Sequence, residues 1–311
     1  MQALFWLANH SEKGQVSLED PIGIFGHQLR ALGHEAVWDR SNEKFITGEG
    51  RYNIVVEGFV PAMIPIFEEY YAKGARFLCL ATEEPTPKGF NWGRDREMQK
   101  RQEVFPKIAH LFDGIFHLVP GQHVHDWYAQ FAPTSYVELG YAPTLVRSKH
   151  TDREPIFDFG FFGSLTNRRI SILKKLARYV GSEKAVRVEG TFPSQQERDR
   201  IMREAKVIVQ VRKFEEMGLV SSTRCNTALC LGRPVVAEPH LLSEPWDKVV
   251  KFSKSLDGFF SDCVLARAAW RGIHAYQMDK FKTLLTPEYC VGRAFKEIGI
   301  DLATGKRMIA A

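Results

Sequence analysis

Between residues 221 and 238 the chain reads Ser-Ser-Thr-Arg-Cys-Asn-Thr-Ala-Leu-Cys-Leu-Gly-Arg-Pro-Val-Val-Ala-Glu. Few folds accommodate that order. The apolar run from Ala205 to Val211 before it reads as a strand. The middle of the stretch reads as a short helix. Gly232-Arg233-Pro234 ends that helix ahead of another apolar strand. Strand, polar helix start, Gly-x-Pro stop and strand make half of a nucleotide-binding α/β layer. Arg224 adds a fixed positive charge where backbone N–H groups already favour an anion. The combination suits a diphosphate.

A second segment, Phe161-Phe162-Gly163-Ser164-Leu165-Thr166-Asn167-Arg168-Arg169, has the same character. Gly163 permits close backbone approach, and Ser164 or Thr166 can cap a helix. Arg168 and Arg169, near that helix start, are within reach of a phosphate. Read alone, the segment is a capped helix with exposed arginines; beside Arg224 it reads as part of one site. Lys213, Glu215 and Glu216 follow the strand that ends at Val211, at the edge where open α/β sheets meet ligands. Lys213 is a candidate for phosphate and the two glutamates for sugar hydroxyls, with an ordinary charged loop as the alternative.

The 221–238 stretch resembles the second domain of GT-B fold glycosyltransferases of the group 1 type, particularly the group that includes spore-maturation CgeB-like proteins. Their pattern runs roughly Ser-Thr-Arg-x-Phe-Glu-Ala-Leu-Ala-x-Gly-x-Pro-Val. Ser222, Thr223, Arg224, Ala228, Leu229, Gly232, Pro234 and Val235 match it. Asn226 stands where Phe is usual, and Thr227 where many retaining members carry the Glu thought to hold the donor ribose. The 161–169 segment matches the family's Phe-x-Gly-Ser-x-x-x-Arg-Arg. The resemblance covers about 157–238 and is only architectural before that. It implies two Rossmann-like α/β domains with parallel sheets facing across a cleft. A nucleotide-diphospho-sugar would bind the second domain, at Gly163, Ser164, Arg168, Lys213, Ser222, Thr223, Arg224, Asn226 and Thr227. It implies no metal and no cofactor beyond that co-substrate, so Arg224 and Arg168 would neutralise the departing diphosphate. No Asp-x-Asp stands where a metal would hold a sugar nucleotide; Asp257 and Asp262 lack that spacing.

A chain of 311 residues fits two domains, each with its own core. The first half alternates short apolar strands (4–8, 35–38, 53–56, 76–80, 114–119) with helices (21–32, 63–73, 95–112), as a parallel sheet covered on both faces requires. Residues 11–20 read as a polar loop, and 136–143 as a closing strand and turn. The boundaries expected are 1–146 for an acceptor-side domain and 147–280 for the donor domain. A helical tail in 281–311 crosses back to the first domain, as the resemblance implies. The five cysteines are scattered without a C-x-x-C pair, which suits reduced structural thiols in a cytoplasm. No run of 18 apolar residues exists. The net charge of +5 gathers in 94–107 and 168–187. Most of it reads as solvated helix faces; the sharper alternative is a face for anionic lipid at the inner membrane surface or for a polyanionic acceptor. No nucleic-acid reader motif accompanies it. Oligomeric state is open.

Activation of an acceptor hydroxyl needs a base at the carboxyl edge of the first sheet. His10, after the first strand, has the right intrinsic pKa. Glu83 and Glu84, in a loop stiffened by Pro85, compete for the role, and Glu57 is a weaker candidate. His123 and His125 with Asp126 would share a face on a strand, but two histidines and one acid make a poor metal site. The expected function is metal-independent glycosyl transfer from a nucleotide-diphospho-sugar to a glycan or small-molecule acceptor, in glycan or cell-surface polysaccharide synthesis. Thr227 favours inversion of configuration, though both outcomes stay open. A sugar-nucleotide epimerase of the same fold and a non-catalytic sugar-nucleotide or glycan-binding protein are the alternatives.

Overall fold

The computed structural model describes residues 1–7, 12–38, 44–93, 96–146, 154–190, 194–215, 221–240 and 245–308, apart from the side chains of 12–16. The chain divides into two compact units: Met1–Leu139 with Pro287–Ala311, and Gly140–Thr286.

The first unit runs β1 (Gln2–Leu7), α1 (Glu12–Ala31), β2 (Glu35–Trp38), β3 (Arg51–Val56), α2 (Ile64–Ala72), β4 (Phe77–Ala81), α3 (Arg96–Ile108), β5 (Phe112–His117), α4 (Gln122–Ala129) and β6 (Thr134–Tyr136). Its six strands pair in parallel in the order β2-β1-β3-β4-β5-β6. The direction of strand addition reverses between β1 and β3. Every residue of β4 and β5 is buried, as central strands with helices on both faces must be. One face packs an aromatic cluster around Phe67, in which Phe45, Phe59 and Phe77 lie 5.0 to 5.9 Å from its ring.

The second unit runs β7 (Phe157–Phe162), α5 (Asn167–Tyr179), β8 (Val186–Glu189), α6 (Gln195–Arg203), β9 (Ala205–Gln210), α7 (Ser222–Cys230), β10 (Val235–Ala237), β11 (Lys251–Phe252), α8 (Leu256–Ala268) and α9 (Trp270–Leu284). Its five strands are also parallel, in the order β11-β10-β9-β7-β8. Here the reversal falls between β7 and β9. The core behind it is built from Phe159, Phe161, Ile172, Leu176, Val207, Val209, Phe259 and Cys263. After Thr286 the chain supplies the first unit with a π-helical turn (Glu288–Gly292), α10 (Arg293–Glu297) and a small antiparallel pair, β12 (Ile300–Asp301) with β13 (Lys306–Arg307). Phe295 of α10 lies 4.8 Å from Phe116 and 6.5 Å from Phe25.

Several elements differ from the reading of the sequence. Residues 12–20 are helical, not loop: α1 passes straight through Pro21, which removes one N–H without forcing a break in a 20-residue helix. The helical tail expected in 281–311 is interrupted, because α9 ends at Leu284 before Pro287 and the chain resumes as a π turn. The closing strand is only Thr134–Tyr136. Residues 122–129 form a helix, so His123 and His125 do not share a strand face. Helix α8 begins at a cap: Ser255 accepts from the backbone N–H of Gly258.

Candidate functional site

In an open parallel sheet, the loops leaving the carboxyl ends of the strands on either side of the reversal form a crevice. In the second unit those loops follow β7 and β9, and α7 begins beside them. Gly163 leaves β7 with φ of +130°, and its amide donates to the carbonyl of Glu189 at 3.0 Å. A Cβ on this residue would lie 2.7 Å from Arg224 Nη2 and 3.8 Å from Arg169 Nη1. The glycine is thus what lets the Arg224 guanidinium close on the turn, with Arg169 in ordinary contact beside it.

Both arginines are buried and pinned. Arg169, on the first turn of α5, donates through Nε to the carbonyl of Val211 at 2.9 Å and through Nη1 to that of Ser164 at 2.8 Å. Arg224 donates to the side-chain oxygen of Gln210, the last residue of β9. Its Nε has no hydrogen-bond partner among the described residues. The two cations lie 5.2 and 5.1 Å from the ring of Phe161, and Arg224 is 5.2 Å from that of Phe162. No carboxylate among the described residues forms an ion pair with either. Burial, then the charge of Arg169, pulls Arg224 down to about 9. Burial pulls Arg169 to about 10, with Glu238 opposing and Arg168 adding to the fall. Two desolvated like charges that disfavour their own ionisation mark a place short of negative charge.

Arg168, assigned to the same site from sequence, is engaged elsewhere. Its guanidinium binds Glu238 in a fork at 2.8 and 2.6 Å and also donates to the carbonyl of Arg212 at 3.0 Å. Glu238, just past β10, is 2% exposed and also accepts from the backbone N–H of Arg212. This pair ties α5 to the ends of β9 and β10. Arg169 is therefore the residue that the Arg-Arg doublet brings to Arg224. The two share a sequence signal, and only the helix phase separates them, a hundred degrees apart.

Around this pair both helix starts are capped, the one at Thr166 as the sequence suggests. Thr166 accepts from the Arg169 amide and donates to the carbonyl of Lys213 at 2.9 Å. Ser221 accepts from the Arg224 amide. Ser222 and Thr223 occupy the first turn of α7 and are half-buried, while Ser164 lies exposed in the turn after β7. Lys213 is half-buried in the loop after β9, its Nζ 5.3 Å from the Phe214 ring. Asn226 and Thr227 lie deeper along α7. Asn226 donates to the carbonyl of Gly140 at 2.6 Å, a tie between helix and chain entry. Glu215 is exposed, and its carbonyl accepts from Arg212. Glu216 lies outside the described residues.

In the first unit the loops after β3 and β4 bring acids together. Glu57, 1% exposed, accepts through Oε1 from the amides of Thr82 and Glu83 and from the Thr82 hydroxyl, and through Oε2 from Tyr128 at 2.9 Å. Burial, then the charge of Glu83, pushes its carboxyl up to about 8. Tyr128 reaches the Glu83 carbonyl as well, at 3.0 Å. Glu83 accepts from Asn91 and lies 3.8 Å from Arg101. Glu84 pairs with His123 at 3.1 Å. Asn91 and Trp92 hold left-handed backbone, φ of +51° and +71°, which costs a side chain as bulky as Trp about 1–2 kcal/mol. His125 instead faces the buried His117 at 3.4 Å, so the two histidines of α4 have different partners. His117 is held down to about 4, chiefly by burial. No group of three or more His, Cys, Asp or Glu that could hold a metal occurs among the described residues. His10 lies outside them.

No protein-family model and no curated protein sequence matches the chain. Solved structures do match in shape. OtsA in its apo form is 8% identical, with 96% of this chain and 99% of that chain covered and a TM-score of 0.55. The N-terminal domain of trehalose-6-phosphate phosphatase from Candida albicans is 7% identical, with 96% of each chain covered and a TM-score of 0.56. With two parallel Rossmann-like units in one chain, the protein has the GT-B fold.

Proposed function

We propose that the protein transfers a glycosyl group from a nucleotide-diphospho-sugar to an acceptor hydroxyl. One observation carries the reading: Arg224 and Arg169 are buried at the strand-order reversal of the second unit, beside a helix N-terminus, without a carboxylate partner among the described residues. A diphosphate supplies the missing charge, and each hydrogen bond to a charged group is worth about 1.5–3 kcal/mol. The fold is shared with OtsA.

In this mechanism the acceptor oxygen attacks the anomeric carbon as a carboxylate takes its proton. The bond from that carbon to the diphosphate breaks, and the leaving group carries the electron pair away. Arg224 and Arg169 stabilise the charge that develops there. Glu83 and Glu84, held after β4 by Glu57 and Asn91, are the assigned carboxylates; His10 is the third candidate. The site needs no metal in this scheme, because the protein provides the counter-charge. The acceptor is assigned as a glycan or small-molecule hydroxyl.

A thermal-shift screen of nucleoside diphosphates and their sugar conjugates tests the reading. A ligand at a hundred times its Kd adds about 2.7 kcal/mol, which raises the melting point by roughly 5–10 °C in a unit of this size. Arg224→Ala is expected to abolish that shift and to weaken donor binding in calorimetry about a hundredfold or more. Unchanged affinity would reject the site. Turnover without acceptor would identify an epimerase, and binding without turnover a non-catalytic receptor.

A further inference from the structure

Helix α5 contains no Asp or Glu. Its inner face, Ile172, Leu173, Leu176 and Ala177, is buried in the core. Arg168 and Arg169 are committed to Glu238 and to the crevice. The remaining charged residues, Lys174, Lys175 and Arg178, are all exposed. With Ser171 they stand at intervals of three, four and seven, which places them on one outer face. Exposed Lys184 extends the row in the following turn, and Glu183 is the one acid between residues 167 and 185. No carboxylate among the described residues pairs with these four cations. Like charges at such spacing oppose the helix by a few tenths of a kcal/mol per pair, so the face is electrostatically incomplete.

The cations do not stand alone. Tyr179 closes the helix at 55% exposure. Its ring lies 5.6 Å from Phe260 and its hydroxyl 3.2 Å from Ser261 Oγ on α8. One turn further along α8 from Ser261, Leu265 is 66% exposed. A row of basic residues bordered by an anchored tyrosine and an exposed leucine combines the two elements that hold a protein at a bilayer surface. The cations meet anionic headgroups, and amphipathic or apolar side chains enter the interfacial layer.

We propose that the outer face of α5, with Tyr179 and Leu265, docks peripherally on an anionic lipid surface. The surface is separate from the arginine crevice and stands independently of the transfer reaction. A lipid surface suits the patch better than a nucleic acid, because a single aromatic beside one helix face offers no succession of stacking platforms.

Sedimentation with vesicles tests this, using phosphatidylcholine alone and phosphatidylcholine mixed with phosphatidylserine, at low and high salt. The protein is expected to pellet only with the anionic vesicles and to release as salt rises. Each cation near such a surface contributes roughly fivefold to partitioning. Joint replacement Lys174→Gln, Lys175→Gln and Arg178→Gln is therefore expected to lower it about a hundredfold, with the melting temperature unchanged. Tyr179→Ala is expected to weaken partitioning several-fold while leaving its salt dependence intact. Absence of binding at low salt, or a triple variant that pellets like the parent, overturns the proposal. So does binding to a soluble polyanion such as heparin or polyadenylate without partition to anionic vesicles.

Discussion

Replacing Glu57 with glutamine isolates the energetics of the acid cluster in the first unit. The geometry favours this substitution over any other. The three donors from Thr82 and Glu83 converge on Oε1, which an amide carbonyl can replace. Tyr128, at Oε2, can accept from the new amide N–H while its own proton goes to the Glu83 carbonyl. The packing is kept and only the ability to ionise is lost. The Glu57 carboxyl is raised from 4.5 to about 8, so between those values the folded protein holds a proton that the unfolded chain has released. Stability contributed by this group is full below 4.5 and is lost as pH rises towards 8. Each tenfold change in proton affinity is about 1.4 kcal/mol, giving a loss on the order of 5 kcal/mol across the window. Urea denaturation of parent and Glu57→Gln across that range reads the difference directly. The variant is expected to lack the decline, so its stability exceeds the parent's increasingly as pH rises above 4.5, and the gap is full by about pH 8. Parallel stability curves would refute the reasoning, because they would mean that Glu57 ionises alike in both states.

Three further substitutions separate scaffold from site. Arg168→Ala removes the fork to Glu238 but leaves the Arg212 Nε 3.6 Å from it, and is expected to cost about 1.5–3 kcal/mol in denaturant unfolding, more than loss of an exposed arginine. Gly163→Ala meets both a positive φ and the Arg224 guanidinium, 2.7 Å from the new methyl. It is expected to destabilise by about 1–3 kcal/mol and to weaken donor binding by calorimetry. Asn226→Ala removes the bond to Gly140 and is expected to lower stability by about 1–2 kcal/mol while leaving donor affinity within about twofold; a large affinity loss would return Asn226 to the ligand.

The parallel α/β plan was legible in the first half because buried parallel strands read as short apolar runs such as Phe77–Ala81. The cap at Thr166 followed from a hydroxyl standing before a helical pattern. What escaped was phase and partnership. Arg168 and Arg169 are chemically identical, and the choice between Glu238 and the crevice depends on a carboxylate 70 residues away. The same limit hid the Glu57 cluster, whose donors come from residues 82, 83 and 128. His123 and His125, two residues apart, fit strand alternation on their own, but on helix α4 that spacing sends them to different partners. The passage of α1 through Pro21 is a case of tertiary packing outweighing local propensity.

The first unit is assembled from two stretches of chain separated by the whole of the second. During synthesis its sheet emerges first, yet the aromatic surface of Phe25 and Phe116 that receives Phe295 waits uncovered until residue 287 and beyond have left the ribosome. By then the second unit is already complete in sequence. The nascent protein thus passes through a stage in which the later-made unit is able to finish folding before the earlier-made one, with an apolar seat exposed in the interval to anything that binds hydrophobic surface.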